Sequence, residues 1–375
     1  MNKLLALILA CLATPANASY VVTDLGPGTA TAINELGVVV GTGTGGGGYI
    51  WSNGTYASLI PPLGATHPNG GIISAFTPKD INNNNLVTGS VSTQDGIRAV
   101  TWSSGVFSAL PSLPFQYGFE LKYSTAVGVN NADQVIGSIV MPAYVGGGVW
   151  RATVWQSGTI STNIQWTTLA GVYPSAQWAN SQGSAINDFG DVVGTSQSVN
   201  GTSRPFLYSS GLMTELTADG FDFSSAYPTD INNSRTIVGE GLGVGGFVLS
   251  NDGKVTLLSF QGGTFSRASS VNDSNLVVGM ATAPDANQSA HAFMFDGHVM
   301  TDLSLLPEVT AAGWSELTYA NDINNAGQIV GYGFINGEQH GYLLTPVPEP
   351  STYVMLLAGI GVIGIAMRRN GKQSS

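Results

Sequence analysis

Apolar positions along this chain fall in short blocks separated by Asn, Asp, Ser and Gly. One pattern recurs: a small or acidic residue, Ile or Val, Asn, four variable residues, two mostly apolar residues, then Gly. It runs from Ala32-Ile33-Asn34 to Gly41, from Asp80-Ile81-Asn82 to Gly89, and from Gly128-Val129-Asn130 to Gly137. It returns from Ala185-Ile186-Asn187 to Gly194 and from Asp230-Ile231-Asn232 to Gly239. The last two copies run from Ser270-Val271-Asn272 to Gly279 and from Asp322-Ile323-Asn324 to Gly331. Asn and Gly are seven residues apart in every copy, and the Asn-to-Asn steps are 48, 48, 57, 45, 40 and 52. A period of this size marks one supersecondary unit per repeat.

Each unit reads as two hairpins. An apolar strand ends at Ile/Val-Asn, a turn such as Asn324-Asn325-Ala326-Gly327 follows, and a β-branched strand such as Gln328-Ile329-Val330-Gly331 leaves. Asn, Asp and Gly tolerate positive φ and make Asx turns, so the turn collects them. The second hairpin has runs such as Ala99-Val100-Thr101-Trp102 before Ser104-Gly105, and His291-Ala292-Phe293-Met294-Phe295 before Asp296-Gly297. A further short strand then ends near Leu110, Leu216, Leu258 or Leu303. Four strands in 40 to 57 residues is the size of a β-propeller blade.

The seventh unit lacks a fourth strand, because Thr345-Pro346 ends it. Tyr20-Val21-Val22-Thr23-Asp24-Leu25 near the N-terminus matches the sixth unit's fourth strand, Val299-Met300-Thr301-Asp302-Leu303. The predicted fold is therefore all-β: a seven-bladed β-propeller over 19–346, closed by the N-terminal strand. Closure removes exposed strand edges. The alternative is an open β-solenoid, which favours shorter, more uniform repeats and needs no split unit.

Both ends carry different patterns. Lys3, the apolar run Leu4 to Leu12 and Ala16-Asn17-Ala18 read as a signal peptide over 1–18, cut before Ser19 by signal peptidase. A rival reading takes Ile8-Leu9-Ala10-Cys11 as a lipoprotein box. Cys11 is the only cysteine, so cutting after Ala18 leaves no disulfide or cysteine metal site. At the other end, Val347-Pro348-Glu349-Pro350 precedes an uncharged stretch, Tyr353 to Met367, and then Arg368-Arg369. Fifteen residues make a helix of about 22 Å, a short and marginal membrane anchor with its Arg pair on the cytoplasmic side. A buried C-terminal helix is the alternative, weakened by Gly359, Gly361 and Gly364.

Only 9% of the 375 residues are charged, and the net charge is −11. Removing both ends leaves 8 basic against 22 acidic residues between Ser19 and Pro348, a net −14. That balance argues against nucleic acid.

The tail over 347–369 resembles the PEP-CTERM sorting signal of Gram-negative bacteria. The resemblance implies processing by an exosortase near Val347, Pro348, Glu349 and Pro350, with Arg368 and Arg369 as the basic end and the helix as a transient inner-membrane anchor over 347–375. It also implies an organism that makes exopolysaccharide, a component of biofilm, and a chain exported to its outer surface or extracellular matrix. The repeats over about 20–346 resemble the bacterial extracellular HAF repeat family, on His291-Ala292-Phe293 and on Asp322 to Gly331. Gly341 after His340 departs from that pattern. The family implies location rather than an activity.

Candidate chemistry is thin. No metal-protease motif occurs among His67, His291, His298 and His340, and no cofactor or metal is predicted. His291 and His340 share a repeat slot with Arg98, Arg151 and Arg204, which reads as a hydrogen-bonding structural position. Asp80 to Asn85 and Asp322 to Gly327 are partial calcium loops, but position twelve is Val91 or Gly333, not a carboxylate. A plain Asx turn competes with a weak oxygen cage there. Trp51, Trp102 and Trp155 occupy a core slot. Trp150, Trp166, Tyr173 and Trp178 fall outside it and are candidates for stacking on sugar, against packing of an enlarged loop. Acid pairs such as Asp188 with Asp191, or Asp219 with Asp222, lack spacing that singles out a glycosidase. The reading is an exported, non-enzymatic binding or structural module associated with exopolysaccharide, with no catalytic residue. The alternative is a polysaccharide-active hydrolase or lyase with its site in the propeller channel.

Overall fold

The computed structural model describes residues 19–61, 73–94, 96–111, 123–142, 148–156, 159–164, 180–197, 202–285 and 287–347. The signal-peptide residues Ala16 and Ala18 lie outside them, as do Pro348, Glu349, Pro350, Arg368, Arg369 and the expected membrane helix. Among the described residues no helix is long and apolar enough to cross a membrane. The chain divides into two units, 22–344 and the two ends together. The first is described here.

The fold is all-β, built of antiparallel sheets. Five sheets have four strands each, taken in sequence order from the second to the sixth motif copies. The sixth sheet has seven strands. In it the strand Ser19–Ile33 lies between Glu338–Val347 of the last copy and Val39–Gly43 of the first. Seven motif copies thus occupy six sheets, where the sequence suggests seven blades. The reason is that one 15-residue strand serves two copies in succession.

Alternation along the strands explains the cores. Val40 and Leu59 of the first copy pack on Phe76 and Val87 of the second, and the interfaces from the second to the sixth copy repeat the scheme. Leu25, Val330 and Leu343 pack with Ala30 and Val39, joining the last copy to the first. Leu59, Leu110, Leu216, Leu258 and Leu303, at or just past the ends of their fourth strands, are buried, and Leu25 is buried in the same way. Trp155 is fully buried and its indole N–H donates to Pro111 O at 2.8 Å, as a core aromatic with a satisfied polar tip.

The motif Gly has a steric cause. The strand before each motif Asn carries a bulge, as between Gly183 and Ala185 or between Ala320 and Asp322. The bulge brings a backbone oxygen against the Gly of the next strand. A Cβ on Gly194 would lie well inside contact with Gln182 O, and one on Gly331 with Tyr319 O.

The motif Asn has a hydrogen-bonding cause. Asn187 Oδ1 accepts from Phe189 N at 3.1 Å and Asp191 N at 2.9 Å, closing its own turn. Its amide nitrogen donates onward to Asn232 O at 3.2 Å. The same donation runs from Asn34 to Asn82, Asn82 to Asn130, Asn130 to Asn187, Asn232 to Asn272 and Asn272 to Asn324. Asn324 then donates to Asn34 O at 3.0 Å, so the chain of bonds returns to its start. Asp has no proton to donate, and Ser cannot reach both partners, so the position holds Asn.

Candidate functional site

Three cavities follow one another along the first strands of the copies. The middle one, about 140 Å³, is lined by Asp80, Asp230, Ser270 and Asp322. These stand two residues before the motif Asn. The other copies place Ala32, Gly128 and Ala185 there. On the turn side lies a cavity of about 290 Å³, into which every copy contributes. On the other side lies one of about 460 Å³, lined by Tyr227, Glu240, Arg267, Tyr319 and Asn321 among others.

The turn-side cavity is bounded by a second closed cycle. Each residue after the motif Asn donates its backbone N–H to the matching side chain of the next copy. Glu35 donates to Asn83, Asn83 to Asn131, Asn131 to Asp188, and Asp188 to Asn233. Asn233 donates to Asp273, Asp273 to Asn325, and Asn325 to both Glu35 oxygens at 3.1 Å. The turn oxygens that a calcium cage would use are therefore already accepting N–H groups. Partial burial, then the Asp273, Asp322 and Asp188 charges, hold the Glu35 carboxyl above its ordinary range, against a backbone hydrogen bond that lowers it.

The middle cavity holds carboxyls away from bulk water. Each is half-buried and lines this cavity. Burial, with the Asp322 charge adding, pushes Asp80 up to about 8 and Asp230 up to about 6. Burial also raises Asp322. Backbone N–H groups of Val129, Val271 and Ile33 donate to Asp80, Asp230 and Asp322, tying each carboxyl to the following copy. Ser270 Oγ lies 2.9 Å from Asp230 Oδ2 and 2.8 Å from Asp322 Oδ1. A hydroxyl has one proton, so both contacts are good hydrogen bonds only when one carboxyl is protonated and donates back. Burial and the shared hydroxyl both favour a proton held between these carboxyls.

The third cavity is different in chemistry. Tyr227 is exposed, and Tyr319 stacks on Tyr332 with centroids 6.0 Å apart and planes 6° from parallel. Burial raises the Tyr319 hydroxyl. The carboxylate lining this cavity, Glu240, sits 3.6 Å from Arg267.

Other expected positions resolve as follows. His291 Nδ1 lies 2.7 Å from Asp302 Oδ2, and Arg204 lies 3.3 Å from Glu215, so the His/Arg slot is a pairing position. Asp191 works against burial, but hydrogen bonds from Arg235, Ser209 and Asn187 hold its pKa down. Asp222 binds Ser224 at 2.6 Å. Of the four candidate sugar-stacking aromatics, Trp150 is half-buried in the strand Gly148–Gln156. Trp166, Tyr173 and Trp178 lie outside the described residues. Tyr227, Gln182 and the channel Asp residues were missed as a set. For the Asp residues alone the signal was the acidic variant of the motif's first position.

Comparison with known proteins adds the following. Residues 346–370 match the PEP-CTERM protein-sorting motif. The motif marks an exosortase-processed, exported protein of the Gram-negative cell surface. Residues 260–340 match the family described as Protein of unknown function (DUF3466). No curated protein matches the chain. Among solved structures, Trypanosoma rangeli sialidase is 10% identical, with 89% of this chain and 60% of that one covered and a TM-score of 0.39. YCF48 from Cyanidioschyzon merolae is 15% identical, with 89% and 100% covered and a TM-score of 0.39. A mutant Aleuria aurantia lectin in complex with alpha-methyl-L-fucoside is 11% identical, with 79% and 98% covered and a TM-score of 0.38. Likenesses at such TM-scores carry no argument about this chain.

Proposed function

We propose that this exported chain is a non-enzymatic carbohydrate-binding module held in the extracellular polysaccharide, and that 22–344 is a closed seven-bladed β-propeller. The observation that carries the reading is the contrast between the two ends of the channel. Carboxyls at the turn end and in the middle are consumed in inter-copy hydrogen bonds. The other end presents tyrosines and neutral polar groups, with Glu240 beside Arg267. Aromatic faces with a few polar groups suit a polar ligand that has an apolar face. The two closed bonding cycles support the seven-blade reading, and the tail supports export.

A hydrolase or lyase is the second reading, for which Glu240 and Tyr319 would be the titratable groups at that mouth. The test is to extract the matrix of the producing bacterium. A protein held by polysaccharide is released when the matrix is depolymerised and stays through a salt wash. Release by salt alone contradicts the reading.

A further inference from the structure

A separate cleft of about 280 Å³ opens beside the tyrosine-lined mouth. It is built by three copies: Trp150 comes from the third, Asn180, Gln182, Thr195 and Gln197 from the fourth, and Tyr227 from the fifth. Tyr227 also lines the mouth, so the two spaces adjoin.

The cleft wall is braced. Trp150 N donates to Asn180 Oδ1 at 2.9 Å. The Asn180 amide donates to Gln197 Oε1 at 3.0 Å, and Gln197 N donates to Asn180 O at 2.7 Å. These bonds tie the third copy to the fourth before any ligand arrives. Other groups are left over. Among the described residues the side chains of Gln182, Thr195 and Tyr227 make no hydrogen bond, and Gln197 keeps its amide N–H groups. Gln182 and Thr195 are a cross-strand pair, so their polar ends stand together.

We propose that this cleft is a subsite for one uncharged sugar unit of the polysaccharide, the chain continuing past Tyr227 to the mouth; it rests on the carbohydrate-binding reading above. Trp150 and Tyr227 supply π faces that attract polarised C–H groups of a pyranose. The free amides and hydroxyls supply donors and acceptors for its hydroxyls. Among the described residues no charged side chain lines the cleft, so none of them compensates a uronate or an amino sugar. The exported chain's net −14 further disfavours an anionic unit. The volume sits at the low end of ligand sites, which suits one unit rather than several.

The test uses the exported protein and the producing strain's exopolysaccharide, hydrolysed and separated into neutral and uronate-containing oligosaccharides. Tyr227→Ala and Gln182→Ala change exposed positions, and their melting temperatures show whether the fold is kept. The expected result is binding of the neutral fraction, weakened about tenfold or more by each substitution. Full binding by both variants, or binding confined to the uronate fraction, overturns this site and leaves the carbohydrate reading standing. Failure of the unsubstituted protein to bind either fraction overturns both.

Discussion

His340 Nδ1 lies 2.8 Å from Asp24 Oδ1, a contact between residues 316 apart in sequence. It repeats the contact of His291 with Asp302, which are 11 apart. In both, a third-strand base meets the acid that precedes a buried Leu, Leu25 or Leu303. The N-terminal strand therefore stands to the seventh copy as a fourth strand stands to its own.

Asp24→Ala should cost about 1 kcal/mol or less, because the carboxylate is 41% exposed. Starting the chain at Gly28 should cost far more. It strips Leu25 from the shared core and leaves the edge of Glu338–Val347 unpaired. Urea unfolding and light scattering would compare the two. A truncated chain that unfolds like the complete one would remove the closing role of that strand.

Asn324→Asp should destabilise by about 2–3 kcal/mol at neutral pH. The new carboxylate would face Asn34 O and Gln328 Oε1, both of which now accept from the Asn324 amide. Asn53→Asp, in an exposed hairpin turn, should stay within about 0.5 kcal/mol. Denaturant midpoints decide it, and equal effects would mean that the cycle of asparagines adds nothing special.

Stability should fall as pH climbs. A carboxyl whose folded value is raised holds a proton in the native state that the unfolded chain has lost. For Asp80 that window runs from its ordinary 3.8 to about 8, and for Asp230 from 3.8 to about 6. The contribution is fully present below the window and lost above it. Thermal midpoints by circular dichroism should drop between pH 5 and pH 9, and Asp80→Asn should flatten the upper part of that drop. A level or rising midpoint would contradict the stored proton.

Much of the architecture was legible in the sequence because the repeat carries its own chemistry. The Asn closes its turn and bonds the next copy, and the Gly admits a bulged backbone, so both recur at fixed spacing. Leu25 and Asp24 announced the missing fourth strand by matching Leu303 and Asp302. The cavities were not legible. A bulge in the first strand shifts the two-residue alternation, so pattern alone does not say which side chains face inward. Asp230 and Asp322 meet at Ser270, and Asp80 lines the same cavity, only through packing between different copies. Trp150 could be singled out as lying outside the core slot, but its partner Tyr227 is 77 residues away, in another copy. Nothing local marks it.

Binding without turnover is what separates a binding module from an enzyme. Titrating the producing strain's exopolysaccharide into the exported protein in a calorimeter, with polymer length measured on the same sample afterwards, tests that directly. Saturable heat with unchanged polymer length is the predicted result. Absence of binding heat, or shortened polymer, would contradict it.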